Sequence, residues 1–300
     1  MVMTYFDFTD FWSSIWTKWH FHPDVLIGLS VILGLYLWII GPGRVKLALS
    51  PTQVPSKQIL MFISSILIIL FSLISPLHEL SDNFLFSAHM LQHVLLTLIV
   101  PPLMIAGIPG WAFKPVMKIK IVASIARVLT HPVVTFSAFN LVFSFWHFPA
   151  LYATSVDFHS FHVLEHLMFI STAVMMWWPL MSSSRELPPL SEPAKMLYLL
   201  GLAIAQILVF APITFSDAPL YEFYVNAPVV WSLSNLADQQ IGGLIMKVGG
   251  GVLFMFLFIR IFVRWAKYER NNTKSLKNKQ IEINSIKNKT SSSFISSVNS

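Results

Sequence analysis

Seven stretches of the sequence are apolar for long enough to cross a lipid bilayer, and they contain few charged side chains. A helical span needs about 20 mostly apolar residues, and the aromatic residues that flank the shorter stretches extend them toward that length. Because a bilayer offers no partners to backbone groups, unbroken apolar runs indicate helices, whereas the strands of a barrel alternate in polarity. The sequence therefore predicts an all-α integral membrane protein with seven transmembrane helices. The predicted spans 1 to 7 are Val25–Ile40, Ile59–Ser75, Phe84–Ile108, Val133–Phe148, Val163–Leu180, Met196–Ile213 and Ile241–Val263.

The composition excludes several other classes of protein. Charged residues make up 11% of the chain and hydrophobic residues 55%, whereas soluble domains carry about 25% charged residues. The absence of cysteine from the sequence excludes disulfides, iron–sulfur clusters, covalently attached haem and thiolate metal sites. The net charge of +6 is consistent with nucleic-acid binding, but the positions of the basic residues favour membrane topology instead, and we expect no nucleic-acid partner.

The basic residues predict the orientation of the chain, because cytoplasmic loops of membrane proteins are rich in lysine and arginine. All but two of the 20 fall on one side of the predicted bundle, and Lys18 and Lys247 are the exceptions. We expect the N-terminus outside, the C-terminus in the cytoplasm, and the protein in the plasma membrane of a bacterium. The basic residues on the predicted inner side are Arg44, Lys46, Lys57, Lys114, Lys118, Lys120, Arg127, Arg185, Lys195, Arg260, Arg264, Lys267, Arg270, Lys274, Lys277, Lys279, Lys287 and Lys289.

The seven spans are flanked by two segments of different character. Residues 1–23 are predicted to be an outer interfacial segment, with Trp12, Trp16 and Trp19 in the headgroup zone. Residues 24–268 form the predicted membrane domain, in which Val116–Leu129 has the pattern of a basic amphipathic helix on the inner surface. Residues 269–300 are rich in Lys, Asn and Ser, which predicts a disordered cytoplasmic tail attracted to anionic lipid.

The histidines cluster on one side of the predicted bundle. Of the ten histidines, all except His131 fall in the outer half of a span or in an outer loop. His89 and His93 are spaced i,i+4 on span 3, and His162 and His166 repeat that spacing at the same depth on span 5. Each pair therefore projects from one helix face. Ionisable groups within a bilayer are costly and mark a site that faces the bundle interior.

Two facing histidine pairs, together with His147 at the outer end of span 4, predict a metal site in one outer-leaflet cavity. We expect spans 3, 4 and 5 to be neighbours. Imidazole suits copper, zinc and haem iron, so the residues alone leave open a metal sphere or a b-type haem held by two histidines between spans 3 and 5. Glu165 and Glu79 adjoin His166 and His78 and are candidate hydrogen-bond partners for the imidazoles. We expect His20, His22 and His159 to be solvated or interfacial and His131 to be structural.

Three further features of the spans affect the predicted site. Asp238 precedes span 7 and is either a carboxylate that reaches the histidine cluster or a solvated loop charge. The glycines that follow, from Gly242 to Gly251, indicate close helix packing. Pro101–Pro102 inside span 3 predicts a kink below the His89 and His93 pair.

An ordered set of short motifs between about Phe84 and Gly250 resembles the bacterial CtaG proteins, which are membrane factors for cytochrome c oxidase assembly. No single motif is decisive, but the set and its order are specific. The motifs are His89-Met90-Leu91-Gln92-His93, Pro101-Pro102-Leu103, Gly107-Ile108-Pro109, His131-Pro132, Trp146-His147-Phe148-Pro149, Tyr152, His166, Trp177-Trp178-Pro179, Leu220-Tyr221 and Asp238-Gln239-Gln240-Ile241-Gly242-Gly243-Leu244-Ile245-Met246.

The resemblance implies a seven-helix protein that is needed for active haem–copper oxidase and helps copper reach its site. It carries over His89, His93, His147, His166 and Asp238 as site residues, while His162 is added from its spacing. The implied partners are cytochrome c oxidase subunits or other copper chaperones. The competing hypotheses are a redox or haem-binding membrane protein and a scaffold that holds oxidase subunits. No nucleophile–base arrangement, phosphate loop or nucleotide motif is present in the sequence, so we do not expect an enzyme.

Overall fold

The computed structural model describes residues 14–298 except 51, 229 and 231, and these residues form helices and loops without a strand. The apolar periodicity and the prolines at helix starts account for the boundaries, since proline is favoured in the first turn of a helix. The helices α1 to α10 are Pro23–Lys46, Ser56–Ile74, Pro76–Asn83, Phe86–Gly107, Lys120–Leu129, Pro132–Trp146, Pro149–Asp157, His159–Met181, Glu192–Phe215 and Asn235–Val298.

Six of these helices are long and apolar enough to cross a membrane: α1, α2, α4, α8, α9 and α10. Predicted span 4 corresponds to α6, which has 15 residues and qualifies only when it is counted together with α5, from which it is bent by 63°. The bend occurs at His131-Pro132, because proline disfavours a helical residue before it. Leu141, Leu197 and Leu208 are 70%, 71% and 79% exposed, as expected for side chains that face lipid.

Helix α4 lies at the centre of the bundle, where it packs against α2, α8 and α10, while α8 also packs against α6. Predicted span 5 therefore lies between spans 3 and 4, in agreement with the expected neighbourhood. Close approach of α10 to α4 depends on Gly242, because a Cβ atom at this position would lie 2.6 Å from Cδ1 of Phe86. The predicted role of the span 7 glycines in packing is thus observed at this position.

The kink predicted in α4 takes the form of a π-helical turn over Leu95–Ile99, just before Val100 and the two prolines. Pro101 has no backbone N–H, so the carbonyl of Thr97 loses its usual helical partner four residues later. The indole Nε1 of Trp177 in α8 donates to that carbonyl at 2.9 Å. The proline therefore frees an acceptor in the core that links the two histidine-bearing helices.

Both ends of the chain differ from the sequence prediction or lie outside the described residues. Trp12 belongs to residues 1–13, which are not described, whereas Trp16 and Trp19 are exposed. Residues 269–300 were predicted to be disordered, but α10 continues as helix to Val298. Side chains of this extension such as Leu276 are exposed.

Candidate metal centre

The first turns of α4 place His89 and His93 on the helix face that points into the bundle, and their side chains are 0% and 1% exposed. Their rings are 4.3 Å apart between centroids, as the i,i+4 spacing predicts. The residue before the helix, Leu85, offers no side-chain cap. A side chain from α10, described below, takes the place of the cap.

Helix α8 supplies three more buried polar side chains on adjacent turns. His162 and His166 are spaced i,i+4, and their ring centroids are 4.5 Å apart. Glu165 lies between them in sequence and is 1% exposed. Its Oε1 atom is 3.5 Å from Nε2 of His93 and 3.9 Å from Nε2 of His89. Glu165 was predicted as a hydrogen-bond partner of a neighbouring imidazole, whereas in the structure its carboxyl group lies within the histidine cluster.

His89, His93 and His166 converge on one point. Each offers a ring nitrogen that lies within 4.8 Å of the ring nitrogens offered by the other two. Two nitrogens bound to the same ion at about 2.0–2.1 Å each are at most about 4.2 Å apart. The separations therefore need only a small side-chain adjustment to surround a single ion.

The cluster is rich in buried polar atoms without hydrogen-bond partners. Such atoms are rare in folded proteins, and each one costs about 1–3 kcal/mol when it is left unsatisfied. Such a concentration at one place is typical of a site that takes up water, an ion or another polar group. In the described part of the chain, the unpartnered atoms at this place are Nδ1 and Nε2 of His89 and of His93, Nε2 of His147, His162 and His166, and both carboxyl oxygens of Glu165.

His147 follows the C-terminal end of α6 and lies beside the convergent group. Its Nδ1–H donates to the carbonyl of Phe143 at 2.7 Å, which leaves the buried Nε2 as the atom available for a ligand. The ring of His147 is 5.6 Å from the ring of His93. Tyr221 donates to the backbone carbonyl of His147 at 2.9 Å and so holds the helix end in place.

Asp238 occupies a different position from the one predicted for a metal ligand. Its carboxylate accepts hydrogen bonds from the backbone N–H groups of Phe86 and Ser87, at 2.7 and 3.2 Å, and a short one from the Ser87 hydroxyl. Both oxygens are thus engaged at the N-terminus of α4, where unpaired N–H groups attract a carboxylate. The structure therefore supports neither proposed role, since Asp238 is a buried cap that fixes the helix carrying His89.

A cavity of about 740 Å³ connects the cluster with the end of the bundle that carries α3 and α7. His89, His162 and His166 line its deep end, and the exposed His159 and Asp24 line its mouth. Apolar side chains of α1, α2 and α8 form much of the remaining wall, and His22, His78 and Asp82 also line it. His162 thus stands between the mouth and the convergent nitrogens, 5.8 Å from the ring of His89.

The histidines at the mouth are organised in a way that was not predicted from the sequence. His20 contacts Oε2 of Glu79 at 2.6 Å through its Nε2 atom, and Lys18 donates to Oε1 of the same carboxylate at 3.0 Å. Burial raises the pKa of Glu79, but the hydrogen bonds from these two residues outweigh that effect and lower the pKa below its ordinary value. The carboxylate is therefore charged at neutral pH and anchors the segment before α1 to α3.

His22 and His78, predicted respectively as interfacial and as an outer histidine, are in direct contact. Their Nε2 atoms are 3.1 Å apart. Burial lowers the pKa of His78 to about 4, while Asp82 opposes this shift and the neighbouring histidines add to it. His78 is therefore neutral at pH 7 and has a free electron pair on one nitrogen. The sequence contains one signal for this contact, the HxH pattern of His20 and His22 before span 1. Its role becomes apparent only when α3, which carries His78, is placed beside it.

Tyrosines form a hydrogen-bonded layer under the outer loops. Tyr152 and Tyr224 join their hydroxyls at 2.7 Å, and Tyr224 donates to the carbonyl of Ser81 at 2.6 Å. The ring of Tyr152 also packs edge-on against His89, with centroids 5.3 Å apart. This layer connects α3 and α7, two short helices that lie in segments predicted as loops.

Together the fold and the site define a class of protein: an all-helical membrane protein with a buried cluster of histidines and one carboxylate near one end of its bundle. The chain belongs to the cytochrome c oxidase caa3 assembly factor family (Caa3_CtaG), whose model matches residues 34–268. The resemblance found in the motifs is thereby confirmed. Three imidazoles converging with a carboxylate suit a single ion better than a haem, which takes two axial nitrogens.

Curated relatives of the chain come from mycobacteria and are described as uncharacterized proteins. One from Mycobacterium leprae (strain TN) is 24% identical over 277 residues, which cover 84% of this chain and 40% of the relative. One from Mycobacterium bovis is 22% identical over 207 residues, or 62% of this chain and 31% of the relative. The chain thus spans less than half the length of these relatives. No solved structure matches the chain.

Proposed function

We propose that this protein assists assembly of a haem–copper cytochrome c oxidase by holding copper as cargo at His89, His93 and His166. Family membership supports the role in oxidase assembly. The observation that carries the copper proposal is the concentration of unpartnered buried imidazole nitrogens around one point. The role is non-catalytic, since the ion is held and handed on without a chemical conversion.

The chemistry of the donor set fits copper. Imidazole is a good ligand for copper, zinc and iron, and copper is the member of this group that a haem–copper oxidase binds as an ion outside a porphyrin. Glu165 places a carboxyl group within 4 Å of two of the imidazoles, where its ionised form would face the cation. A charge of the opposite sign offsets part of the cost of burying an ion in a medium of low dielectric constant. His147 and His162 can complete the coordination sphere or exchange with one of the three.

The orientation of the bundle follows from the same proposal. With seven spans, the amino end outside and the carboxyl end in the cytoplasm, the cavity mouth faces the outside of a bacterial plasma membrane. The partition of lysine and arginine supports this orientation. In this arrangement the cargo is exchanged on the outer side with oxidase subunits or other copper chaperones.

Metal analysis of the purified full-length protein tests the proposal. Wild type incubated with Cu(I) and then desalted is expected to retain copper, and the double variant His93→Ala/His166→Ala is expected to lose the copper of this site. His131→Ala is the matched control, because His131 is exposed and far from the cluster in sequence and depth. Retention of the same amount of copper by the double variant would refute the proposed site.

Oxidase activity in the host tests the link to assembly. Cells with the same double variant are expected to lose oxidase activity under copper limitation while the protein remains inserted and abundant. Interhelical hydrogen bonds in membranes average about 0.6 kcal/mol, so the bundle should tolerate the substitutions. Normal oxidase activity at normal protein abundance would show that the cluster is not used in assembly and would favour a scaffold.

Fusion reporters test the orientation. A reporter after Ser300 is expected to be active only in the cytoplasm, and one inserted at Asp217, in the exposed loop between α9 and α10, only outside. The opposite pattern would place the cavity mouth in the cytoplasm and would overturn delivery on the outer side.

A further inference from the structure

The cavity mouth contains a second group of potential metal ligands that is separate from the buried cluster. His22 lies just before α1 and is half-buried, and His78 lies in α3 and is buried. Their Nε2 atoms are 3.1 Å apart. Two imidazoles on one tetrahedral ion, with bonds of about 2.0–2.1 Å, place their nitrogens roughly 3.3 Å apart. The pair is therefore close to the geometry of two ligands on a single ion.

The surroundings of His78 allow it to present an electron pair to an ion. Its Nδ1 atom is 3.3 Å from the amide Nε2 of Gln92 and 3.4 Å from Oδ1 of Asp82. In one tautomer Nδ1 accepts from Gln92, and Nε2–H donates to His22. In the other, Nδ1–H faces the Asp82 carboxylate, and the Nε2 electron pair is free. A carboxylate behind the distal nitrogen is the usual partner of a metal-bound histidine.

A continuous series of imidazoles leads from this pair to the buried cluster. The ring of His78 is 6.1 Å from that of His162. His162 is in turn 4.5 Å from His166 and 5.8 Å from His89. The cavity includes all of these side chains in its lining, so the path between them is not blocked by apolar packing.

Burial is greater at the inner end of this path than at the mouth. His22 is half-buried, His78 and His162 are 7% and 9% exposed, and His89 is 0% exposed. An ion that moves inward exchanges water for imidazole in steps, which avoids the large cost of placing a bare charge in the bilayer core at once. Each step replaces one nitrogen ligand by another, so the ion keeps its oxidation state.

We propose that His22 and His78, with Asp82 behind them, form an outer metal site that receives the ion and transfers it through His162 to the buried cluster. This inference rests on the proposed function, because it assumes that the buried cluster binds the same ion.

Counting the ions bound to purified full-length variants tests the outer site. Wild type incubated with Cu(I) is expected to retain two ions per chain. The outer variant His22→Ala/His78→Ala and the inner variant His93→Ala/His166→Ala are each expected to retain one, and the control His131→Ala two. Circular dichroism and the melting temperature establish that each variant is folded. If the outer double variant does not fold, His22→Asn alone, at a half-buried position, provides the same comparison.

The outcomes separate this inference from the proposed function. One ion in wild type that persists in the outer variant refutes the outer site and leaves the buried site in place. Loss of both ions from a folded outer variant also refutes the inference, since it shows that the histidines form one site. The absence of bound copper from wild type refutes the proposed function itself.

Loading kinetics test the transfer step. His162→Ala is expected to approach its own final occupancy of the buried site more slowly than wild type does at limiting Cu(I), and His131→Ala, away from the cavity, is the control. Equal loading rates for His162→Ala and wild type would refute the path through His162, whatever the number of ions bound.

Discussion

The position of Asp238 makes a sharp prediction, because a cap and a metal ligand respond differently to the same substitution. Asp238→Asn keeps one acceptor oxygen of about the same shape, whereas Asp238→Ala removes every acceptor. In the structure the carboxylate serves two backbone N–H groups and one hydroxyl at the start of α4. We expect the alanine variant to destabilise the protein clearly and the asparagine variant to do so mildly.

The magnitude follows from the bonds that are lost. Removal of an N-cap costs about 0.5–2 kcal/mol, and a hydrogen bond to a charged group contributes about 1.5–3 kcal/mol. Asp238 is 4% exposed and Phe86 is 1% exposed, so water cannot replace the lost acceptors. About 3 kcal/mol for alanine and about 1 kcal/mol for asparagine correspond to decreases of about 6–12 °C and 2–4 °C in melting temperature.

Thermal unfolding and copper titration of the same samples separate the two roles. Under the capping role, Asp238→Asn binds as much copper as wild type with similar affinity, and Asp238→Ala binds less tightly because the first turn of α4, which carries His89, is no longer fixed. Asp217→Ala, at an exposed aspartate of the preceding loop, is the control and should change neither quantity. Loss of copper from Asp238→Asn at an unchanged melting temperature would refute the capping role and restore Asp238 as a ligand.

Three further substitutions test other parts of the structure. Glu165→Gln should weaken copper binding by about 10–100-fold without loss of the fold, and an unchanged affinity in a competition titration would place the ion away from this carboxylate. Gly242→Ala should lower the melting temperature, because its Cβ would lie 2.6 Å from an aromatic ring of α4. Gly251→Ala, with open space around it, is the control and should be neutral or stabilising. Equal effects of the two substitutions would contradict the close packing at Gly242. Tyr224→Phe leaves the Tyr152 hydroxyl without its acceptor and should lower the free energy of unfolding by about 1–3 kcal/mol, measured by denaturant or thermal unfolding. An unchanged free energy of unfolding would show that water reaches this layer.

The helices and the convergence of their histidines were largely predictable because both follow from local patterns. The i,i+4 spacing of His89 with His93 and of His162 with His166 determines which side chains share a helix face. Because the two pairs lie at the same depth, their rings converge if the two helices are neighbours. It was harder to predict which helices pack against each other, because packing depends on shape complementarity such as that between Gly242 and Phe86.

The contacts that were not predicted join residues distant in sequence. Asp238 meets Phe86 across 152 positions, and no local pattern distinguishes a carboxylate that caps another helix from one that binds a metal. The pair formed by His22 and His78 is separated by 56 positions and depends on α3, a helix too short for hydrophobic periodicity to reveal. The count of seven spans stays a prediction, because the seventh requires α5 and α6 to be counted as one span across their 63° bend.

The two sides of the histidine cluster differ in a way that bears on how cargo is exchanged. Toward the end of the bundle that carries α3, the cavity of about 740 Å³ reaches His89 and His166. Toward the other side, aromatic rings close the core: Phe169 lies 4.6 Å from the ring of His93, and Phe143 lies 4.2 Å from the ring of His147. The space beside His93 on that side has a volume of about 10 Å³, room for at most one water molecule. An ion held at the cluster therefore has a path to the mouth but meets packed apolar side chains in the opposite direction, where a charge would be strongly disfavoured. This asymmetry favours loading and release through the same opening, as a chaperone requires, over passage across the membrane.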